Sequence, residues 1–362
     1  MGQYRHFTKQ TLCKNGDTMI PRTLFSPDHQ AFRDSFRRFC DKEIAPHHDA
    51  WEEQGYVDRA VWNKAGDNGF LCMTLPEEYG GSGADKLYSV IQFEELNARG
   101  LTGIGYSLHS EIVAPYILHY GTPEQKAKYL PKLASGEMIG AIAMSEPAAG
   151  SDLQGIKATA IRQPDGSYLL NGSKTFITNG WHADLVIVVA KTNPAAGGKG
   201  TSLLLVERGM PGFSVGKRLK KLGLRAQDTS ELFFDNVRVP VTNVVGEIDQ
   251  GWSVANSLLR SERIFFGTPR QCEYALGQLD RLAQATNALA DGGFRAQYAS
   301  LVLDVRDLKS AFESFVGRLR AGEELGSEVS YLKVWGTETY QRITDALVQR
   351  LRGQADARRG VA

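Results

Sequence analysis

Two stretches of the chain carry side chains whose types and spacing could do chemistry. The first is AIAMSEPAAGSD, residues 141–152, where a short apolar strand runs into a turn of small residues ending in a serine. Such a turn exposes backbone N–H groups, and together with the hydroxyls of Ser145 and Ser151 they could donate hydrogen bonds to a ring edge and a pyrophosphate without any lysine. A Gly150-Ser151-Asp152 sequence also suits an ordinary turn. From residue type alone, both roles stand open. The second stretch is Ser261-Glu262-Arg263. If residues 254–266 form a helix, the positions three and four away from Glu262 are Leu258, Leu259, Phe265 and Phe266. A carboxylate in that stripe loses hydration, which disfavours its charged form and raises its pKa toward the range useful to a general base. The competing role for Glu262 is an ion pair with Arg263 or another arginine on a partly exposed helix.

Three kinds of segment must position these residues. From about Ser26 to Gly140 the pattern is helical: Ser26-Pro27-Asp28 is a natural helix start, and Phe32, Phe36 and Phe39 share one face. Further helices are predicted around 59–68, 87–99 and 124–133. After Gly140 short β-rich runs appear at 156–162, 167–170, 174–178, 185–190, 202–206 and 231–234. Asp165-Gly166 and Asn171-Gly172 read as hairpin turns, which predicts an antiparallel sheet or barrel. Beyond Gly251 the helical period returns, as three long helices broken near 291–293 and 320–322. The expected fold class is α+β: an N-terminal helical domain (21–140) after an unstructured extension (1–20), a central antiparallel β-barrel or sheet domain (141–247), and a C-terminal helical bundle (248–362).

The 362 residues, 42% hydrophobic with a net charge of +1, suffice for a large core in two or three domains. A balance so near neutral gives no broad electrostatic reason to bind nucleic acid or an anionic membrane. Cys13, Cys40, Cys72 and Cys272 lie far apart and form no metal or disulfide pattern, so reduced thiols in a cytosol-like compartment are expected. No apolar stretch approaches the ~20 residues of a membrane span. Arg5, Lys9 and Lys14 against Asp17 fit either a transit peptide or an extension ahead of a second start at Met19. GxGxxG between a strand and a helix, GxxxxGK[ST], HExxH and GxSxG are all absent, which sets aside the simplest nucleotide-binding and hydrolase readings.

The 141–152 stretch closely resembles the signature of the acyl-CoA dehydrogenase family, and further matches follow in order. Phe176-Ile177-Thr178-Asn179-Gly180 resembles the family's flavin-contacting strand, and residues 222–240 look like its second signature. Ile44 to His48, Tyr106 to Ser110 and Gly140 to Ser145 resemble the long-chain branch. The resemblance implies an FAD-dependent enzyme that converts an acyl-CoA to the 2-enoyl-CoA and passes electrons to electron-transfer flavoprotein. It further implies a homo-oligomer, dimer or tetramer, in the cytoplasm or, in a eukaryote, the mitochondrial matrix.

Residue by residue, the resemblance implies that Met144, Ser145 and Thr178 meet the flavin's polar edge and that Phe176, with Ile177 beside it, covers a ring face. Gly150 and Ser151 lie near the pyrophosphate, and Ser151 also near the thioester. Glu262 is then the base for the α-proton, Arg263 helps position substrate, and Ser253 lines the CoA passage. The pattern departs from the long-chain branch after Glu247: no Gln-Arg-x-x-Phe-Gly follows the Glu262 helix, and the chain stops before the family's Gly-Gly-Thr loop and terminal helix. These departures keep a second reading open, a catalytically impaired homologue or a partner-dependent subunit of a hetero-oligomer.

Overall fold

The computed structural model describes residues 24–256, 268–323 and 325–359, with side chains as far as 352. Helix α1 (Pro27–Phe39) starts where its sequence predicts: Ser26 Oγ accepts from His29 N–H at 3.3 Å, and His29 Nδ1 accepts from Ser26 N–H at 3.1 Å. Its inner face packs Phe36 and Phe39 edge-on against Phe70, with ring centroids 5.0 and 5.1 Å apart. Then follow α2 (Ala45–Gln54), α3 (Arg59–Asp67), α4 (Lys86–Ala98), α5 (Tyr106–Leu108), α6 (Ala114–Tyr120) and α7 (Pro123–Ala134). A π-helical turn, His109–Val113, joins α5 to α6 and turns His109 into the interior.

The strands are β1 (Gly140–Ala143), β2 (Thr159–Arg162), β3 (Tyr168–Thr178), β4 (Leu185–Lys191), β5 (Thr201–Glu207), β6 (Phe213–Arg218), β7 (Thr229–Val239) and β8 (Val244–Val245). They form one open sheet in the order β6-β7-β3-β2-β4-β5-β8, with β1 also on β4. The expected antiparallel barrel or sheet is therefore corrected to an open, mixed one. β1 runs parallel to β4 over 185–188, and β2 meets the same edge of β4, also parallel, at Lys191. The two strands thus lie end to end beside β4, which two successive hairpins would not give.

One of the two expected hairpin turns is real. Between β2 and β3, Gly166 has φ +83° and its N–H donates to the Gln163 carbonyl, closing the Pro164-Asp165-Gly166 loop. Asn171-Gly172, by contrast, lies inside β3, where the register with β7 slips between Leu170 and Gly172. Gly172 adopts φ +143°, and a Cβ there would fall 2.7 Å from that of Ala158. The glycine serves a bulge and a close strand approach rather than a turn.

Residues 251–256 are helical. The three further helices appear as α8 (Arg270–Ala285), α9 (Gly292–Arg320) and α10 (Glu328–Arg359), with breaks at the predicted places. Asp291 starts α9 by accepting from the Gly293 and Phe294 N–H groups. Leu279, Leu308, Phe312, Leu332 and Ile343 form their shared core, which Leu87, Val90 and Ile91 of α4 extend into the N-terminal helices. Among the described residues, no helix is long and apolar enough to cross a membrane.

Candidate active site

Because β1 ends at Ala143 and β2 begins at Thr159 on the same edge of β4, the chain between them must leave the sheet. The AIAMSEPAAGSD stretch sits at that break. Glu146 and Ala149 pair through both backbone N–H groups, at 2.9 and 3.1 Å, making a tight turn over Pro147-Ala148. Gly150 and Ser151 follow it on the exposed part of the loop, and Met144 and Ser145 lie half-buried before it.

The loop is closed by the Glu146 side chain. Its Oε2 accepts from Lys157 N–H at 2.6 Å and its Oε1 from Ala158 N–H at 3.0 Å, both just ahead of β2. Oε1 also takes a hydrogen bond from Lys174 Nζ at 2.8 Å, and the same ammonium donates to the Met144 carbonyl at 2.9 Å. Burial pushes the Glu146 carboxyl up, but Lys174 and the two N–H groups more than reverse this and hold it below the usual carboxylate range. The Thr175 N–H completes the seam by donating to the Ser145 carbonyl at 3.0 Å.

One residue further along β3, the backbone does something unusual. Phe176 adopts φ +59°, a left-handed conformation that costs a bulky residue about 1–2 kcal/mol. The register with β7 slips here too, between Lys174 and Ile177. As a result the Phe176 ring stands out of the sheet, 69% exposed, while Ile177 turns into the sheet core. Strain that holds an apolar ring in the open gains nothing in packing among the described residues, which makes Phe176 a candidate ligand contact. Thr178 is half-buried at the end of the strand. Asn179, also left-handed at φ +61° and 1% exposed, donates its amide to the carbonyls of Gly105 and Gly140 at 3.2 and 3.3 Å. The strand end is thereby tied both to the loop before α5 and to the start of β1.

The structure thus brings Met144, Ser145, Gly150, Ser151, Phe176, Ile177 and Thr178 to one break in one sheet, with Ile177 contributing no side chain to its surface. Ser253 is exposed on the helical residues 251–256, and its hydroxyl donates back to the Gln250 carbonyl at 2.8 Å. No described contact joins it to the β1–β3 seam. Glu262 and Arg263 lie outside the described residues. Sequence reasoning passed over Glu146, Lys174 and Asn179. Lys174 shares the inward parity of Tyr168 and Leu170, a parity that exists only because β3 runs through Asn171-Gly172 instead of turning there.

Sequence models of three domains match the chain in order: acyl-CoA dehydrogenase N-terminal domain at 26–137, middle domain at 141–237 and C-terminal domain at 249–358. The third match continues well past the motif matches visible in the sequence. The mitochondrial long-chain specific acyl-CoA dehydrogenase of Mus musculus is 41% identical over 339 residues, 91% of this chain and 78% of that protein. The mitochondrial isovaleryl-CoA dehydrogenase of Oryza sativa is 43% identical over 244 residues, 67% of this chain and 59% of that protein. Among solved structures, the acyl-CoA dehydrogenase of Geobacillus kaustophilus matches with a TM-score of 0.84 at 40% identity, covering 90% of this chain and 88% of that one.

Proposed function

The chain belongs to the acyl-CoA dehydrogenase family, whose members are FAD-dependent oxidoreductases, and on that premise we propose that it dehydrogenates an acyl-CoA between Cα and Cβ to the 2-enoyl-CoA. The observation that carries this reading is the exposed Phe176 ring held beside Ser145 and Thr178 at the break in the sheet. A flat apolar face next to hydroxyls and loop amides suits a ring system that is apolar on its faces and polar at its edge, which is the chemistry of a flavin. FAD, when bound, would supply the acceptor for the hydride lost from Cβ.

The chain's own residues do the rest. Phe176 covers one ring face, Met144, Ser145, Ile177 and Thr178 bond the ring edge through backbone or hydroxyl groups, and Gly150 and Ser151 attend the pyrophosphate. Glu262 takes the α-proton as general base, the role that the resemblance gives it. Arg263 orients the substrate, and Ser253, at an exposed position, borders the CoA passage. Electrons then pass to electron-transfer flavoprotein, and the working form is a homo-oligomer.

The test is anaerobic titration of FAD-loaded protein with a panel of acyl-CoAs, comparing wild type with Glu262→Gln. Wild type is expected to bleach its flavin band with at least one thioester. The variant is expected to do so more slowly by a factor of about 10² or more, the usual worth of a general base. Equal rates would remove Glu262 from its role, and a protein that takes up no FAD would overturn the dehydrogenase reading and favour a partner-dependent or impaired subunit.

A further inference from the structure

Resting on that reading, we propose that Glu146 and Lys174 are a positioning pair for the cofactor, holding the β1–β2 loop against the β3 bulge so that the Phe176 ring and the loop hydroxyls form one surface. Neither residue reaches that surface. The Lys174 side chain is 0% exposed and that of Glu146 5%, so they act through the residues they hold.

The case begins with what a buried ion pair is worth. Taking an ammonium and a carboxylate out of water costs several kcal/mol each, and well-packed apolar residues at such positions are often as stabilising or more so. Stability alone gives little reason for a lysine on the inward parity of β3. What the pair does supply is direction. Its hydrogen bonds run to three separate segments: Lys174 Nζ to the Met144 carbonyl at the end of β1, Glu146 to the Lys157 and Ala158 N–H groups before β2, and the two side chains to each other.

These segments are the ones whose relative placement the cofactor site needs. Residues 147–156 leave at Glu146 and return at Lys157 and Ala158, whose N–H groups its carboxylate holds, so Glu146 ties together the two ends of the segment that carries Gly150 and Ser151. On the other side, Lys174 precedes by two residues the strained Phe176, and the intervening Thr175 N–H is bonded to Ser145. An apolar pair of equal volume would fill the same space without fixing the loop's register against the bulge. Charge-assisted bonds to named carbonyl and amide groups do fix it.

The experiment uses full-length protein stripped of flavin and titrated with FAD, following the visible band shape and the dissociation constant at a temperature well below unfolding. The variants are Lys174→Met, Glu146→Gln, Lys174→Arg and a control, Leu279→Ala, which opens a cavity in the distant helical core. Lys174→Met and Glu146→Gln are expected to weaken FAD binding on the order of tenfold, the scale on which outer groups tune metal-site affinity, and to alter the band shape. Lys174→Arg, which keeps the charge, is expected to recover most of the affinity. Leu279→Ala is expected to lower the melting temperature while leaving affinity and spectrum as in wild type.

The proposal fails if wild type binds FAD and the folded Glu146→Gln or Lys174→Met protein binds it within about twofold with an unchanged spectrum. It fails equally if Leu279→Ala weakens binding as much as they do, since the pair would then act only through general stability. Should Lys174→Met not fold, Glu146→Gln decides by the same criteria. Wild type that takes up no FAD overturns the cofactor reading itself, a result distinct from both.

Discussion

The backbone N–H of Gly140, the first residue of β1, donates to Nδ1 of His109 at 3.0 Å. The other ring nitrogen, Nε2, lies 2.9 Å from the Leu133 carbonyl, so the imidazole is neutral with its proton on Nε2. A single buried ring thereby joins α7, the π-helical turn and the first strand.

This arrangement makes stability depend on pH. Burial lowers the His109 pKa to about 4, overcoming the opposing hydrogen bond to Leu133; the nearby Arg59 lowers it further while Asp184 works the other way. The folded protein resists protonation down to about pH 4, whereas the unfolded chain takes up the proton near 6.5. The stabilisation is therefore complete above 6.5 and lost as pH falls from 6.5 toward 4, by about 3 kcal/mol at most. Urea unfolding of wild type and His109→Gln at pH 7.5, 5.5 and 4.5 measures it. The variant should lose less stability over this range, and identical slopes would show that His109 does not control it.

Phe176 separates stability from binding. Replacing it by glycine relieves the left-handed strain of about 1–2 kcal/mol at little cost in burial, since the ring is mostly exposed. Phe176→Gly should therefore unfold at the wild-type denaturant concentration or above, while binding FAD more weakly. Phe176→Val should be less stable than either, because a branched Cβ tolerates positive φ worst. A large loss of stability in the glycine variant would mean that the ring packs against something in the folded protein.

At Gly172 the cost has two parts that can be measured apart. Gly172→Ala should destabilise by at least about 2 kcal/mol, from the positive φ and from the contact with Ala158. Adding Ala158→Gly removes the contact but not the φ, so the double variant should recover only part of the loss. Complete recovery would leave no role for the backbone conformation.

Much of this architecture is legible before folding, and the reasons differ by segment. The helix starts at Ser26 and Asp291 depend on local chemistry, a side-chain oxygen over the first free N–H groups, and local chemistry is written in adjacent residues. The three C-terminal helices are long, which periodicity finds, although only the second break carries glycine, at Gly322 with φ +78°. Asn171-Gly172 misleads for a physical reason: a positive-φ glycine serves a turn and a bulge equally well, and only the nearness of Ala158, fourteen positions away, selects the bulge. The parallel placement of β1 on β4 is likewise set by strands some 45 residues apart, beyond any local signal.

The candidate site divides along the same line. Its residue types stand together in the sequence at 144–151 and 176–178, and resemblance gives them roles. What holds them there does not stand out, because Glu146 sits within a turn motif and Lys174 within a strand, and their pairing exists only once β1 and β3 have met.

The end-to-end placement of β1 and β2 on β4 also bears on how long the intervening segment can be. Closing a flexible loop twice as long costs only about 0.6 kcal/mol more, and since both strands are paired independently to β4, added residues would shift no register. The sheet would accept a longer connection almost as readily as this one. What keeps this segment in place is therefore not the sheet but its own closure, the Glu146 carboxylate on the Lys157 and Ala158 N–H groups.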